Sequence, residues 1–296
     1  MIREQLGRVS LFYGDDSSWN SNYTETLWGY LSRVRWNGKT IRESGLGIGT
    51  EAVLEDVYKR KEVIPDASVG GLGGIWFGVE ALDPREIDKG QDLPKIQRVF
   101  SEMRKHGMNP MAMTILFPSQ GWTGNESNPY GARDTAEWLS RLGASYFQMT
   151  HIGPSVGSQD YDLHYERGEV LSRVGRYEVG DNCYDGNRVI LDSHPEKKCA
   201  ELFKRQLYIL GAYWTFYSPW KLLVTCLRFL RVPCRLTKND VRSRFFGLLQ
   251  TAVTTVKMIP WIYALWRGPW QKWRGVPCTS RKLQFTQDPQ LIKLIN

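Results

Sequence analysis

The amino-acid sequence predicts an α/β fold, namely an incomplete (β/α) barrel followed by an α-helical C-terminal extension. Between residues 8 and 138, short apolar runs alternate with amphipathic stretches, which is typical of repeated β-α units around a parallel sheet. After residue 153 this alternation stops, and basic, aromatic helical stretches follow. The predicted boundaries separate three regions. Residues 1–155 form a partial barrel, 156–217 an irregular segment with a helix that completes the barrel, and 218–296 a basic aromatic extension.

Five stretches predict strands, and amphipathic stretches between and after them predict helices. The strands are expected at 9–13, 36–48, 74–80, 110–117 and 145–152. Helices are expected at 51–61, 93–106, 133–142 and 195–215. Gly107 and Gly143 follow the second and third of these helices, at the position where glycine commonly ends a helix. The result is at least four β-α units with the spacing of a barrel.

Two further local predictions come from the first half of the chain. Ser17 or Ser18 is expected to cap a helix after the first strand. The buried face of that helix would consist of Tyr23, Leu27, Tyr30, Leu31 and Val34. The glycine-rich stretch 70–74 precedes a strand instead of opening a helix, so it predicts a flexible loop and no phosphate site.

Polar residues at predicted strand ends are the candidates for chemistry, because strand ends form the mouth of such a barrel. Glu80 closes an otherwise apolar strand, and a carboxylate there must be solvated or paired. Asp15 and Asp16 also follow a strand, although an Asp-Asp-Ser-Ser stretch is equally suited to capping a helix. His151 is the candidate for proton transfer, with a structural histidine as the alternative.

The five cysteines, at 183, 199, 226, 234 and 278, do not form a close pair or triplet. Their odd number argues against a secreted disulfide framework, and the N-terminus has no apolar signal core. A reduced, cytoplasmic compartment is therefore expected. The spacing also predicts that the purified chain binds no iron–sulfur cluster.

The charge of the chain, +8 overall, is concentrated near the C-terminus. In the stretch 228–282, basic residues are interleaved with Trp and Phe, and Asp240 is the only acid. This pattern predicts that residues 219–274 associate peripherally with an anionic membrane, at its inner face. The alternative is that the aromatics pack on the barrel and cover an open edge. A nucleic-acid partner is not expected, because no recognisable motif of that kind is present.

Several segments resemble one known family. The stretch 76–80 reads Trp-Phe-Gly-Val-Glu and is similar to the F-G-V-E-S strand of radical S-adenosylmethionine (SAM) enzymes of the cobalamin-associated type. Further segments resemble motifs of that family in the same order, over roughly residues 8–218: 11–16, 113–118, 152–158, 184–189 and 216–218.

The resemblance implies a barrel that binds SAM, with Glu80 contacting it, Asp16 near its polar end, and Asp15 and Thr114 nearby. It also implies a [4Fe–4S] cluster, cobalamin, and methyl transfer or a related radical modification of a small or lipid-like substrate. In the family, three thiolates of a C-x3-C-x2-C motif hold the cluster.

This sequence departs from the family at four places. The C-x3-C-x2-C motif, expected just upstream of Arg8, is absent, and so is the N-terminal cobalamin-binding domain. Ala81 replaces the usual Ser after the glutamate, and Ser158 replaces a Thr. Met1 would then mark a truncated, split or mis-started reading frame, with a separate upstream chain as the expected partner that carries the missing segments.

Two functions therefore remain open from the sequence. The chain is a radical SAM enzyme, or the C-terminal part of one. Alternatively, it is a catalytically inactive barrel remnant that binds a membrane surface or a partner protein.

Overall fold

The computed structural model describes most of the first half of the chain and one long helix after it. The described residues are 10–13, 17–20, 22–44, 46–87, 92–126, 128–153, 199–218 and 220, together with single residues and pairs between 163 and 191. They divide into two compact units. The first contains the residues up to Thr150 and those from Tyr208 on, and the second contains those from His151 to Leu207.

Strands and helices alternate along the chain, as the sequence predicts. In order they are β1 (Ser10–Tyr13), α1 (Ser17–Asn20), α2 (Thr24–Arg33), β2 (Arg35–Trp36), β3 (Lys39–Thr40), β4 (Gly47–Ala52), α3 (Leu54–Lys59), a 3-10 turn (Lys61–Val63), α4 (Ile64–Val69), β5 (Leu72–Glu80), α5 (Leu93–Lys105), β6 (Asn109–Leu116), α6 (Ala132–Leu142), β7 (Tyr146–His151), β8 (Arg173–Val174), β9 (Tyr177–Glu178) and α7 (Cys199–Phe216).

The main sheet has the strand order β1-β4-β5-β6-β7. The pairs β1–β4, β4–β5 and β5–β6 are parallel. Between β6 and β7, the Ser145 N–H donates to Pro110 O at 2.8 Å and the Thr114 hydroxyl donates to Gln148 O at 3.3 Å. Because the residue numbers rise along both strands from one bond to the next, these two strands also run parallel. A parallel α/β sheet is therefore confirmed. Its closure into a barrel, complete or incomplete, stays a prediction.

One face of the sheet packs against the helices. In β5, alternate side chains are buried (Ile75, Phe77 and Val79), because successive residues of a strand point to opposite faces. The Phe77 ring lies 5.6 Å from that of Phe100 in α5. On the opposite face, Trp76 and other side chains of opposite parity are half-buried. A ligand could therefore reach the sheet from this second face or from its carboxyl edge.

The helix ends follow the predicted signals. In α5, the Asp92 carboxylate accepts from the Lys95 N–H at 2.8 Å as an N-cap, and Gly107 follows the helix with φ +71°. Helix α6 ends at Gly143, whose φ of +98° is the left-handed conformation that favours glycine. Both predicted helix ends are thus confirmed.

The predicted face of the first helix is confirmed in part. Leu31 is buried, and Leu27 and Val34 pack against the core, whereas Tyr23 and Tyr30 are 75% and 68% exposed. Helix α1 ends at Asn20 and α2 begins only at Thr24, with Thr24 and Trp28 as its other buried residues. The two exposed tyrosines are therefore the part of this prediction that is wrong.

Two glycine-containing stretches also differ from their predictions. Most of the stretch 70–74, predicted as a loop, belongs to β5, which begins at Leu72. The stretch 36–48, predicted as one strand, holds a short hairpin around Asn37 and Gly38, both at positive φ, before β4 begins at Gly47. An Asn-Gly pair is the usual two-residue hairpin turn, and this signal was overlooked.

The outer edge of β7 is closed by Tyr213 of α7 and by Tyr217, which directly follows that helix. The Tyr217 hydroxyl accepts from the Phe147 N–H at 2.7 Å and donates to Phe147 O at 2.8 Å. The Tyr213 hydroxyl contacts Met149 in the same way, at 3.0 and 3.2 Å. Side-chain hydroxyls therefore take the place of a neighbouring strand along this part of β7, which satisfies its backbone and blocks edge pairing.

Helix α7 lies very close to the Trp122 ring, in the loop between β6 and α6, at Gly211. A Cβ at this position would lie 2.5 Å from the Trp122 ring. We expect Gly211→Ala to lower the free energy of unfolding by about 1–3 kcal/mol through overpacking, although alanine is the better helix former. The matched control is Gly29→Ala in α2, where the nearest atom is 3.9 Å away and a stabilisation of about 1 kcal/mol is expected. Urea unfolding measures both; a stabilised Gly211→Ala would contradict the close contact.

The predicted C-terminal extension lies outside the described residues, except for Trp220. Within the part of the chain that the structure describes, no helix combines the length and the apolar content needed to cross a membrane.

Candidate functional site

The candidate site lies at the carboxyl edge of the sheet, where β5 and β6 end. Glu80 is the last residue of β5, and its Cα register partner across the sheet is Thr114 of β6. The register shifts between Gly78 and Glu80, so a β-bulge precedes the glutamate. Such bulges re-aim a side chain at the end of a strand. The structure thus brings together two of the predicted site residues.

The backbone of Glu80 is in an unusual conformation. Its φ is +56°, whereas a residue with a Cβ generally avoids this left-handed region. The following residues Ala81, Leu82 and Asp83 turn back into buried positions, while Glu80 itself stays half-buried. A conformation of this kind costs about 1–3 kcal/mol and is concentrated at functional sites. The strained backbone therefore places a carboxylate at the edge where ligands of parallel sheets bind.

The Thr114 hydroxyl is less available to a ligand than the position of the residue suggests. Its side chain is buried, and its hydroxyl donates to Gln148 O in β7. With the proton engaged there, what Thr114 can offer to a ligand is an oxygen lone pair. Its established contact links β6 to β7 beside the Glu80 position.

The loops that follow β5 and β6 are joined beside this edge. Glu86 accepts hydrogen bonds from the Ser119 hydroxyl and from the Asn128 amide, the latter at 2.9 Å. Gln120, itself buried, accepts from the Phe117 N–H at 2.9 Å and donates to Tyr130 O at 3.0 Å. These contacts form a fixed polar wall between the loops that follow β5 and β6. No signal in the sequence pointed to the polar side chains that form it.

Asp83 belongs to the same region but has a structural partner. The Arg85 guanidinium binds both carboxylate oxygens, and this holds the pKa of Asp83 below its usual value despite its burial. The pair straddles Pro84 and fixes the turn after Glu80. An Asp-Pro-Arg stretch directly after a strand was the available signal for such a fixed turn.

His151, predicted at the barrel mouth, is found in the second unit. Its side chain is buried, and neither ring nitrogen has a hydrogen-bond partner among the described residues. Burial, together with the nearby Arg205 guanidinium, holds the pKa of the His151 imidazole well below its usual value of 6.5. The imidazole is therefore neutral near pH 7 and can serve only as a base or as a neutral donor.

Acid should destabilise the fold through His151. The unfolded chain binds a proton near pH 6.5 whereas the folded state resists it, so the stability present above that pH is lost as the pH falls toward the folded-state pKa. The expected slope is about 1.4 kcal/mol per pH unit in this range. Urea unfolding at pH values below 6.5 should show this slope for the native chain and for the control His106→Gln, but a flatter profile for His151→Leu. An unchanged profile in His151→Leu would assign the acid sensitivity to another group.

The remaining predicted residues are not placed. Asp15 and Asp16 lie outside the described residues, as do all the cysteines except Cys199 at the start of α7. Within the described ranges, no group of three or more His, Cys, Asp or Glu side chains could hold a metal ion. The prediction about cluster binding therefore stays a prediction.

The fold and edge together define an α/β protein with a carboxylate at the ends of its parallel strands. No protein-family model and no curated protein matches the sequence. Two solved structures of TsrM, a radical S-adenosylmethionine methyltransferase from Kitasatospora setae, are similar in structure, each with a TM-score of 0.48.

The TsrM structure with cobalamin and a [4Fe–4S] cluster bound is 10% identical over 86% of this chain and 54% of that chain. The one with tryptophan substrate and the SAM analogue aza-SAM bound is 11% identical over 72% of this chain and 44% of that chain. The chain thus spans about half the length of these structures. A likeness at this level assigns no residue role and no activity.

Proposed function

We propose that this chain is the SAM-binding and substrate-side part of a radical SAM enzyme of the cobalamin-associated type. The reaction we assign is methyl transfer, or a related radical modification, on a small or lipid-like substrate. The observation that carries the proposal is the position of Glu80. It ends a strand whose sequence resembles the family's glutamate strand, and the bulge and the positive φ place its carboxylate at the carboxyl edge of a parallel sheet.

The donor set at this edge is compatible with SAM. A half-buried carboxylate accepts hydrogen bonds from an ammonium group or from ribose hydroxyls, and charge-assisted bonds of this kind are strong. The half-buried side chains on the adjacent sheet face, Trp76 among them, supply apolar surface for a nucleoside. In this proposal the chain binds and orients SAM and excludes water, while the polar wall around Glu86 keeps the edge rigid.

The residues of this sequence do not fit a [4Fe–4S] cluster. No three cysteines have the spacing that such a cluster requires, and no described group of ligands replaces them. We therefore derive no reaction step through the cluster or through cobalamin. Our proposal is that both are supplied by a partner polypeptide.

A second candidate function is supported by the same cysteine spacing. It is a catalytically inactive barrel that binds a membrane surface or a partner protein. The two functions differ in one property that can be measured on the isolated chain: only the first requires a site for SAM.

Titration calorimetry with SAM and with S-adenosylhomocysteine tests the proposal without any cluster. We expect one site per chain for each ligand. A folded protein that binds neither ligand would contradict the proposal and would favour the inactive barrel.

A further inference from the structure

We propose that the outward side of helix α7, together with Trp220, docks on an anionic membrane surface. The rotation of α7 is fixed by the sheet. Ile209, Ala212 and Phe216 are buried, and the Phe216 ring stacks on Phe147 of β7 at 5.0 Å. The hydroxyls of Tyr213 and Tyr217 bind the β7 backbone on one flank. The side of α7 that points away from the sheet is therefore defined.

That outward side is apolar where a surface helix is ordinarily polar. Residues two apart on an α-helix lie about 200° apart, so Trp214 lies opposite Phe216. The Trp214 side chain is 72% exposed, and the neighbouring Leu210 is half-buried. A helix that is apolar on both sides normally has both sides covered. Among the described residues, those of the sheet cover one side of this helix, and the Trp214 side chain on the other side is exposed.

A second tryptophan is exposed close by in the chain. Trp220 is 73% exposed, although the segment between the two tryptophans contains the buried Phe216. The stretch 208–220 contains no charged residue. Exposed indoles on an uncharged segment are typical of residues that sit at the membrane–water interface, where the ring is apolar and its N–H stays hydrated.

The charge of the following segment identifies the kind of surface. After the uncharged stretch, Asp240 is the only acid up to Lys282, and the basic residues are Lys221, Arg228, Arg231, Arg235, Lys238, Arg242, Arg244, Lys257, Arg267, Lys272, Arg274, Arg281 and Lys282. Each Lys or Arg near an anionic leaflet contributes about 1 kcal/mol of attraction. An uncharged segment with two exposed tryptophans, continued by a basic sequence, is complementary to anionic lipid, which offers an apolar interface and negative headgroups at the same surface.

Vesicle co-sedimentation with the full chain tests this docking. The vesicles are phosphatidylcholine alone and phosphatidylcholine mixed with phosphatidylglycerol. We expect binding to the mixed vesicles that weakens in high salt. The variant Trp214→Ala/Trp220→Ala should bind about tenfold more weakly or worse, because each indole loses its apolar contact with the interface.

The matched control is Tyr30→Ala, which removes an aromatic side chain that is 68% exposed on α2. It should bind as the native chain does. Far-UV circular dichroism and thermal unfolding check that the double variant stays folded, which its exposed positions favour.

Several outcomes would overturn the proposal. Equal binding by the native chain and the double variant would mean that the basic segment acts without these tryptophans. Equal binding to vesicles with and without phosphatidylglycerol would exclude an attraction between the basic residues and anionic headgroups. If no vesicle is bound while the chain self-associates and the double variant does not, the outward side of α7 is instead an interface between copies of this chain. The assay contains no SAM, so its result is independent of the proposed function.

Discussion

The variant Glu80→Gln is expected to bind S-adenosylhomocysteine about tenfold to a hundredfold more weakly than the native chain. The substitution keeps the size of the side chain and removes its charge. A hydrogen bond to a charged group contributes about 1.5–3 kcal/mol, which corresponds to that range of affinity. Because the strained backbone at Glu80 is kept, with a φ of +56°, any loss reports on the carboxylate and not on the path of the chain.

The control for this variant is Glu62→Gln, at an exposed position in the 3-10 turn. It should bind the ligand as the native chain does, and both variants should retain the native unfolding temperature within a few degrees. Equal affinity in Glu80→Gln and the native chain would remove Glu80 from the site, and with it the observation that carries the proposed function.

The double variant Tyr213→Phe/Tyr217→Phe should lose about 2–6 kcal/mol of unfolding free energy, the largest effect on stability that we expect. Each hydroxyl satisfies one N–H and one C=O of the edge strand β7, at Met149 and Phe147 respectively. Leaving such buried groups unpaired costs about 1–3 kcal/mol at each site. Burial also raises the pKa of both phenols, so their protons stay in place throughout the accessible pH range.

Exposed tyrosines provide the control for this effect. Tyr23→Phe and Tyr30→Phe remove the same hydroxyl from side chains that are 75% and 68% exposed, and each should change stability by less than about 0.5 kcal/mol. If the α7 double variant were as stable as these controls, the hydroxyls would not be closing the edge of β7. A freed edge should also increase the tendency of the protein to aggregate.

The parts of the fold that could be predicted from the sequence depend on local signals. The apolar run that ends at Glu80 and the glycines at 107 and 143 identify a strand end and two helix ends without reference to the rest of the chain. The exposure of Tyr23 was missed because it depends on an interruption of only three residues between α1 and α2. Closure of the β7 edge could not be predicted, because Tyr217 and Phe147 are 70 residues apart.

The sequence pointed to candidate residues but not to their geometry. The strand end pointed to Glu80 and the family resemblance to Thr114, and the register of β5 and β6 places the two opposite each other. The positive φ of Glu80 has no sequence signal, since a residue with a Cβ rarely adopts it. His151 was predicted beside them from its strand end alone. The lowered pKa of its imidazole follows first from its burial and then from the Arg205 guanidinium, and both depend on residues that are distant in sequence.

Amide hydrogen exchange with and without S-adenosylhomocysteine locates the SAM site that we propose at the carboxyl edge of β5 and β6. We expect slower exchange in peptides that cover 76–87 and 111–120, no change in α5, and loss of the protection in Glu80→Gln. Protection confined to other parts of the chain, or equal protection in Glu80→Gln, would contradict it.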